Sequence, residues 1–348
     1  MSERLATELG PQEPSASPPM ASQASAQGRS PHWEGPTYYG RPQVKAAPFN
    51  NWVVGGYIFL GGLAGAAALL SAITDRARGP EAAPTVRRGR ALSMLAPTVG
   101  AGLLIYDLHT PQRFYNMLRV AKATSPMSIG TWILMSFSGF SILGTAASVA
   151  SRWLPRLSFL RRAARATQVP AAVTGAGMTT YTAALLSATS TPLWAAAPQS
   201  MAVRFGSSSL AAGAAALSMG DTGRVGRTLD KVALLALAAD LAATCVSHNT
   251  YRRTGVAPAL EGEWGKVEKL GVTGLGTLLP MGLYAASLAR GRSPALSTLA
   301  GIATLAGSAM LRVSIMAAGD ESATRPDVSF RFTQPQNLPK RPSRWFRR

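Results

Sequence analysis

Asp107, His109 and Arg113 stand within one short polar segment, and the run Ser125 to Trp132 follows it closely. A carboxylate, an imidazole, a guanidinium, a hydroxyl and an indole in such proximity could hold an amphiphile with a polar head and an apolar tail. A quinone is one such molecule. Its two-electron, two-proton chemistry needs donors to two carbonyl oxygens and a nearby acid or base that exchanges protons with water. Asn50, Asn51 and Trp52, the group Thr189, Ser190, Thr191 and Trp194, and the pair His248 and Asn249 have the same mixed character. The bland alternative is that all of these are helix caps and loop charges, and spacing alone leaves both readings open.

The elements that must position these residues are apolar. Eight stretches, each near the roughly 20 residues that cross a hydrocarbon core as a helix, run Trp52 to Thr74, Ala91 to Leu108, Ser128 to Ala150, Val169 to Ser190, Met201 to Met219, Leu229 to Ser247, Leu270 to Leu288 and Ser297 to Ala317. The spacing predicts an all-α polytopic integral membrane protein of eight transmembrane helices, arranged as two four-helix bundles. Alternation of direction then carries the ends of the even stretches and the starts of the odd ones to one face, which is where Asn51, Asp107, Ser128, Thr189 and His248 fall.

Composition agrees. The chain of 348 residues is 47% hydrophobic but only 15% charged, against about 25% charged in soluble proteins. Its formal net charge of +19 is distributed in small groups between apolar runs, such as Arg87, Arg88 and Arg90 or Arg161, Arg162 and Arg165, rather than gathered into a nucleic-acid footprint. No nucleic acid partner is expected; membrane lipid is. The single cysteine, Cys245, excludes a disulfide, a Cys-ligated iron–sulfur cluster and a thiolate zinc site within the chain, and no metal site is expected. The three histidines, His32, His109 and His248, leave one pair at helix ends, which disfavours a heme.

Residues 1–47, rich in Pro, Ser, Ala and Gln, read as a disordered extramembrane arm, with Trp33, Tyr38 and Tyr39 as an interface anchor or docking strap near its end. The opening residues lack the basic and apolar regions of a cleavable signal, so the first stretch is expected to direct insertion. Residues 48–318 form the membrane domain and 319–348 a basic tail. Loops leaving the odd stretches carry the densest positive charge, which puts them in the cytoplasm and both termini outside; the basic run Lys340 to Arg348 argues the other way.

Asp240 lies in mid-stretch, where a carboxylate is costly unless paired or hydrated, and Arg312 is its natural partner. The two read either as a proton relay toward the polar face or as a buried ion pair that fixes packing. Asp75 and Asp230, at the ends of stretches, read as interfacial.

Four motifs resemble a known family. Asn51 to Gly65 (NWVVGGYIFLGGLAG) is similar to the first helix of the NrfD-like membrane subunits of polysulfide reductase and related complexes. Leu103 to Arg119 (LLIYDLHTPQRFYNMLR) resembles that family's DLGRPxRFxxMLR segment, Ser125 to Trp132 (SPMSIGTW) its SPMSxGxW segment, and Tyr181 to Trp194 (YTAALLSATSTPLW) its YTGxLLxxTxxPxW segment. They occur in order. His109-Thr110 departs from the family's Gly-Arg and removes one positive charge.

The resemblance implies a subunit of the bacterial cytoplasmic membrane that has no heme or iron–sulfur cluster of its own and binds menaquinone or ubiquinone as quinone or quinol. It further implies electron exchange with a four-cluster ferredoxin-like iron–sulfur partner, which serves a distal molybdenum, tungsten or cytochrome subunit. By itself such a protein is half an enzyme. Asp107 and Arg113 are the expected catalytic residues. Tyr57, Asp107, His109, Arg113, Ser128, Trp132, Tyr181 and Thr189 are the expected quinone contacts, and Asp240 with Arg312 the expected proton relay. A transporter, which should carry an internal repeat and broken helices, and a purely structural membrane anchor are the alternatives.

Overall fold

The computed structural model describes residues 44–108, 110–221 and 223–338. His109, the expected arm up to residue 43 with Trp33, Tyr38 and Tyr39, and the basic run from Lys340 lie outside them. The described residues are helical, without a strand among them. In chain order the helices are α1 (Asn51–Arg78), α2 (Ala83–Tyr106), α3 (Pro126–Trp153), α4 (Ser158–Ala166), α5 (Gln168–Ser187), α6 (Pro192–Ala196), α7 (Pro198–Ser218), α8 (Arg224–Arg253), α9 (Glu263–Ala289), α10 (Pro294–Thr324) and α11 (Pro326–Phe332).

The expected apolar stretches fall on α1, α2, α3, α5, α7, α8, α9 and α10. Among the described residues, four helical stretches are long and apolar enough to cross a membrane: Asn51–Tyr106, which is α1 and α2 together, then Pro126–Trp153, Glu263–Ala289 and Pro294–Thr324. The protein is a multi-pass membrane protein. Helix α7 is less apolar because it is an inner helix: its serines, glycines and Arg204 are buried by neighbouring helices rather than by lipid.

Helix α1 is central. Its run of small residues, Gly61 to Ala68, is buried throughout, and α1 packs against α2, α5, α7 and α10. Small side chains let helix axes approach closely, which is the main source of attraction between helices in lipid. Helix α3 joins this assembly through α5 and α2, while α8 and α9 join it through α7 and α10.

Local chemistry sets the helix ends. The Asn50 side-chain oxygen accepts hydrogen bonds from the Trp52 and Val53 amides at 3.0 and 3.3 Å, satisfying donors that the first helical turn leaves free. Ser125 does the same for Ser128 at the start of α3, with Pro126 in the first helical position, where its missing N–H costs nothing.

Helix α2 begins at Ala83 rather than Ala91, α9 at Glu263 rather than Leu270, and α8 spans Arg224–Arg253 rather than Leu229 to Ser247. Two further differences from the sequence reading have a visible cause. Helix α10 continues past Ala317 to Thr324 because its polar end is clasped: Asp320 accepts the Ala47 amide at 3.0 Å, Ser322 accepts the Leu193 amide at 3.2 Å, and the Trp194 indole donates to the Ile315 carbonyl at 2.8 Å. Helix α11 then packs Val328 and Phe332 into the same core, so the expected tail begins as folded structure.

The second is inside α9, where Val267–Leu278 is π-helical. Hydrogen bonds from i to i+5 bring residues four to five apart onto one face, and Glu268, Val272, Gly276 and Thr277 are indeed the buried ones. In an ordinary α-helix Glu268 and Thr277, nine apart, would point to opposite sides. Gly276 also meets Gly307 of α10 backbone to backbone, in space that a side chain would fill.

At the end of the bundle that carries the α1–α2 turn, Asp230 is fully buried and paired with Arg292 at 2.7 Å. Ser297 donates to the same carboxylate oxygen at 2.7 Å, and Arg292 also binds the Ser218 and Asp221 carbonyls. Asp221 in turn pairs with Arg88 at 3.4 Å. The interfacial reading of Asp230 is therefore corrected: burial without this guanidinium would be prohibitive, and the loop residue Arg292 folds back to supply it.

Candidate functional site at one face of the bundle

The opposite end gathers the polar motifs. There the Asp107 carboxylate, at the end of α2, accepts the Asn50 amide at 3.3 Å and so ties the end of α2 to the start of α1. Arg113 lies in the short 3₁₀ segment Pro111–Leu118, exposed to solvent. Ser128 is buried and does two jobs: its hydroxyl donates to the Val120 carbonyl at 2.8 Å and accepts the Lys122 amide at 2.9 Å. The Trp132 indole donates to the same Val120 carbonyl at 3.3 Å. The loop before α3 is thus folded over its first turns by a hydroxyl and an indole from that helix.

That fold leaves an open groove of about 470 Å³ between the loop, α3 and α5, lined by Lys122, Ser128, Ile129, Trp132, Ile133 and Thr174 among others. The volume lies within the range of small-molecule sites. One cation, one indole and the three hydroxyls of Ser128, Ser136 and Thr174 border it, and the remainder of its wall is apolar. Ser128→Ala is expected to free the Lys122 amide and leave the Val120 carbonyl with the Trp132 indole alone, destabilising the loop by about 1–2 kcal/mol. Limited proteolysis in residues 119–125 measures this; cleavage at the wild-type rate would show that the loop is held by something else.

Tyr181 of α5 lies on the other side of α3, its ring in the space that a side chain at Gly130 would occupy. Tyr57 of α1 packs beside Gly100 of α2. Thr189 plays a local part: its hydroxyl donates to the Leu186 carbonyl at 2.7 Å and closes the end of α5. The structure therefore brings Ser128 and Trp132 together at the groove, keeps Asp107, Tyr57 and Tyr181 out of its lining, and leaves Arg113 exposed on the surface. On the same face Phe49, Trp52, Tyr106, Phe114 and Tyr115 are exposed aromatic side chains.

Asp240 is buried on α8, with one carboxylate oxygen accepting from Thr277 at 3.3 Å and the other without a partner among the described residues. It does not form the expected ion pair with Arg312. Arg312 is instead held by Ser208, Ser209 and Ser308 at 2.7, 2.8 and 2.7 Å and by the Ser308 and Phe205 carbonyls, and it lies over the Phe205 ring. Three serines and two carbonyls hold its two terminal nitrogens without a carboxylate, and they stitch α7 to α10.

The ion pair that does form inside the bundle involves residues that the sequence reading passed over. Arg204 of α7 meets Glu268 of α9 at 2.8 Å, and His248 of α8 reaches the other oxygen of Glu268 at 2.9 Å. Arg204 and Glu268 are nearly inaccessible while His248 is partly exposed. Arg204 was visible as the lone charge within the fifth apolar stretch. Glu268 was not, because it precedes its stretch by two residues and only the π-helical turn directs it inward.

The sequence matches the family described as Polysulphide reductase, NrfD, over residues 44–322. A polysulfide reductase subunit of Wolinella succinogenes is 33% identical over 90 residues, which cover 25% of this protein and 28% of that relative. The family match takes in every helix from α1 to nearly the end of α10, and with it the groove, Asp107 and the buried Arg204–Glu268 pair; the protein belongs to the NrfD polysulphide reductase family.

Proposed function

We propose that this protein is the quinone-reactive membrane subunit of a respiratory oxidoreductase complex in the bacterial cytoplasmic membrane. In this reading eight helices cross the membrane in two groups of four, α1, α2, α3 and α5, then α7 to α10. The observation that carries it is the groove beside α3, open to the lipid side and bordered by Lys122, Ser128 and Trp132. A quinone reaches such a site from the bilayer, its tail remaining along the apolar wall.

The residues suit the head group in kind. The Lys122 ammonium is a donor for a carbonyl oxygen and the Trp132 ring is an apolar face beside it, its N–H being held by the Val120 carbonyl; Asp107, at the end of α2, is the carboxylate assigned to proton exchange. Reduction of a quinone takes two electrons and two protons, and a carboxylate at the interface can deliver protons one at a time. The electrons come from outside the subunit. The exposed aromatic side chains Phe49, Trp52, Tyr106, Phe114 and Tyr115 on this face form an apolar patch of the type that protein partners cover, and an iron–sulfur subunit is the partner that supplies electrons there. It exchanges them in turn with a distal molybdenum, tungsten or cytochrome subunit.

Asp240 carries protons in the second group of helices; Thr277, which donates to it, shares the buried face of α9 with Glu268, the partner of Arg204 and His248. The other Asp240 oxygen has no partner among the described residues, and an ordered water is the group that satisfies such an atom. Arg312 is a clamp rather than a carrier. Asp240→Asn is expected to slow proton-coupled turnover about tenfold or more with quinone affinity unchanged, measured by steady-state kinetics against quinol concentration. Loss of assembly in this variant would assign Asp240 to packing instead.

The reading as a whole is tested by a photoreactive quinone analogue. Labelled peptides are expected within residues 119–136 and 174–181, with protection by excess unlabelled quinone; labelling confined to other helices, or unprotected by quinone, would refute the groove.

A further inference from the structure

Helix α4 serves no part of the quinone site, and it has an unusual surface. Its sequence, SFLRRAARA, turns Leu160, Ala163 and Ala164 toward the protein, where Arg90 of α2 binds the Ala164 carbonyl at 3.2 Å and Ser148 of α3 at 2.8 Å. The outward side carries Arg161, Arg162 and Arg165, and the preceding turn adds Arg152 and Arg156. Arg161 folds back onto the Pro155 carbonyl at 3.0 Å. The side chains of Arg152, Arg156, Arg162 and Arg165 make no hydrogen bond or ion pair to any described residue.

Nothing nearby in the sequence neutralises them, for there is no Asp or Glu at all between Asp107 and Asp221. Interleaved with the arginines are exposed apolar side chains: Trp153 is 82% accessible and Phe159 60%, with Leu154 and Leu157 beside them. Below, the outer side of α3 continues with exposed Ile142, Leu143 and Val149. Along the last turns of α3 and onto α4, the exposed residues therefore pass from aliphatic to mixed aromatic and cationic.

We propose that this corner of α3 and α4 seats an anionic phospholipid of the membrane leaflet on that side. One such molecule satisfies all three zones together. Its acyl chains cover Ile142, Leu143 and Val149, its glycerol level matches Trp153 and Phe159, which favour the interface, and its phosphate meets the guanidiniums, for which planar bidentate contacts are the strong geometry. An acidic protein could neutralise the arginines but would leave the apolar residues at membrane depth unmatched. Each basic residue near an anionic surface adds about 1 kcal/mol of attraction, so a group of arginines without internal counterions distinguishes lipids by charge. The seat stands independently of the quinone reading.

The test is native mass spectrometry of the delipidated full-length protein, given phosphatidylglycerol, cardiolipin or phosphatidylcholine at equal concentration. Anionic lipid adducts are expected at least about tenfold over phosphatidylcholine. The quadruple change Arg156→Gln, Arg161→Gln, Arg162→Gln and Arg165→Gln is expected to abolish that preference, the same four changed to Lys to retain most of it, and Arg252→Gln with Arg253→Gln at the other end of the bundle to leave it intact. Circular dichroism melting checks that each variant is folded. Equal uptake of all three lipids, an unchanged preference in the folded Gln variant, or displacement of the lipid by millimolar inorganic phosphate would overturn the proposal.

Discussion

Asp107→Asn is expected to lower quinone-linked turnover by about 10²-fold or more, the usual range for loss of a general acid or base, while the complex assembles as before. The structural reason for expecting the two effects to separate is the Asn50 contact. The carboxylate accepts one backbone N–H at 3.3 Å, and the side-chain carbonyl of asparagine accepts the same bond with the same shape. The tie between α1 and α2 therefore survives, and only the exchangeable proton is lost. Turnover is measured with a soluble quinol analogue, and assembly by co-purification from the same membranes. Wild-type turnover would remove Asp107 from the mechanism and leave it as a fastener between two helices.

Glu268→Gln is expected to produce the largest loss of stability of any single change in the bundle. It would leave Arg204 buried without a counter-charge and His248 without its acceptor, and breaking a buried ion pair in this way costs about 3–5 kcal/mol. Replacing both partners is predicted to be far milder. In Arg204→Met with Glu268→Gln neither member of this pair is left charged without the other, and apolar replacements for buried pairs are often neutral. Thermal unfolding in one detergent compares the single variant, the double variant and wild type. If the single variant melts with wild type, the pair is not an energetic unit; if the double variant is as unstable as the single one, packing rather than charge accounts for the loss. Turnover of a stable double variant then reports whether the pair also conducts protons.

These two residues mark the limits of what the sequence made legible. Asp107 could be found because it lies at the end of an apolar stretch inside a motif, and alternation of helix direction alone carries it to the same face as Ser128 and His248. Apolar periodicity likewise placed the long helices to within a turn or so at most ends. Glu268 was hidden, because a π-helical segment changes which residues share a face and no pattern with a 3.6-residue period signals that. Arg312 was visible but misassigned. A buried arginine next in rank to a buried aspartate suggests a pair, yet serines contributed by α7 and by its own helix satisfy it more fully, and serines scattered in a small-residue helix give no sign of which cation they serve. The same holds for Asp230, whose partner Arg292 lies in a loop and approaches only when that loop folds back.

The end of α10 makes a related point. Its last turns are polar, so hydropathy stops at Ala317, whereas the helix is carried on to Thr324 by hydrogen bonds from Ala47, Leu193 and Trp194, residues remote in sequence. Such contacts bring the segment before α1, the turn around α6 and the end of α10 to the face that carries Asp107.

The most direct test of the central claim is quinone-dependent electron transfer by the gently purified native complex, with the co-purifying subunits identified in the same preparation. Turnover that requires quinone, is blocked by a quinone-site inhibitor and accompanies an iron–sulfur subunit is the predicted result. An intact preparation with no redox partner and no response to quinone would contradict the account and direct attention to transport through the polar residues of α7 to α10.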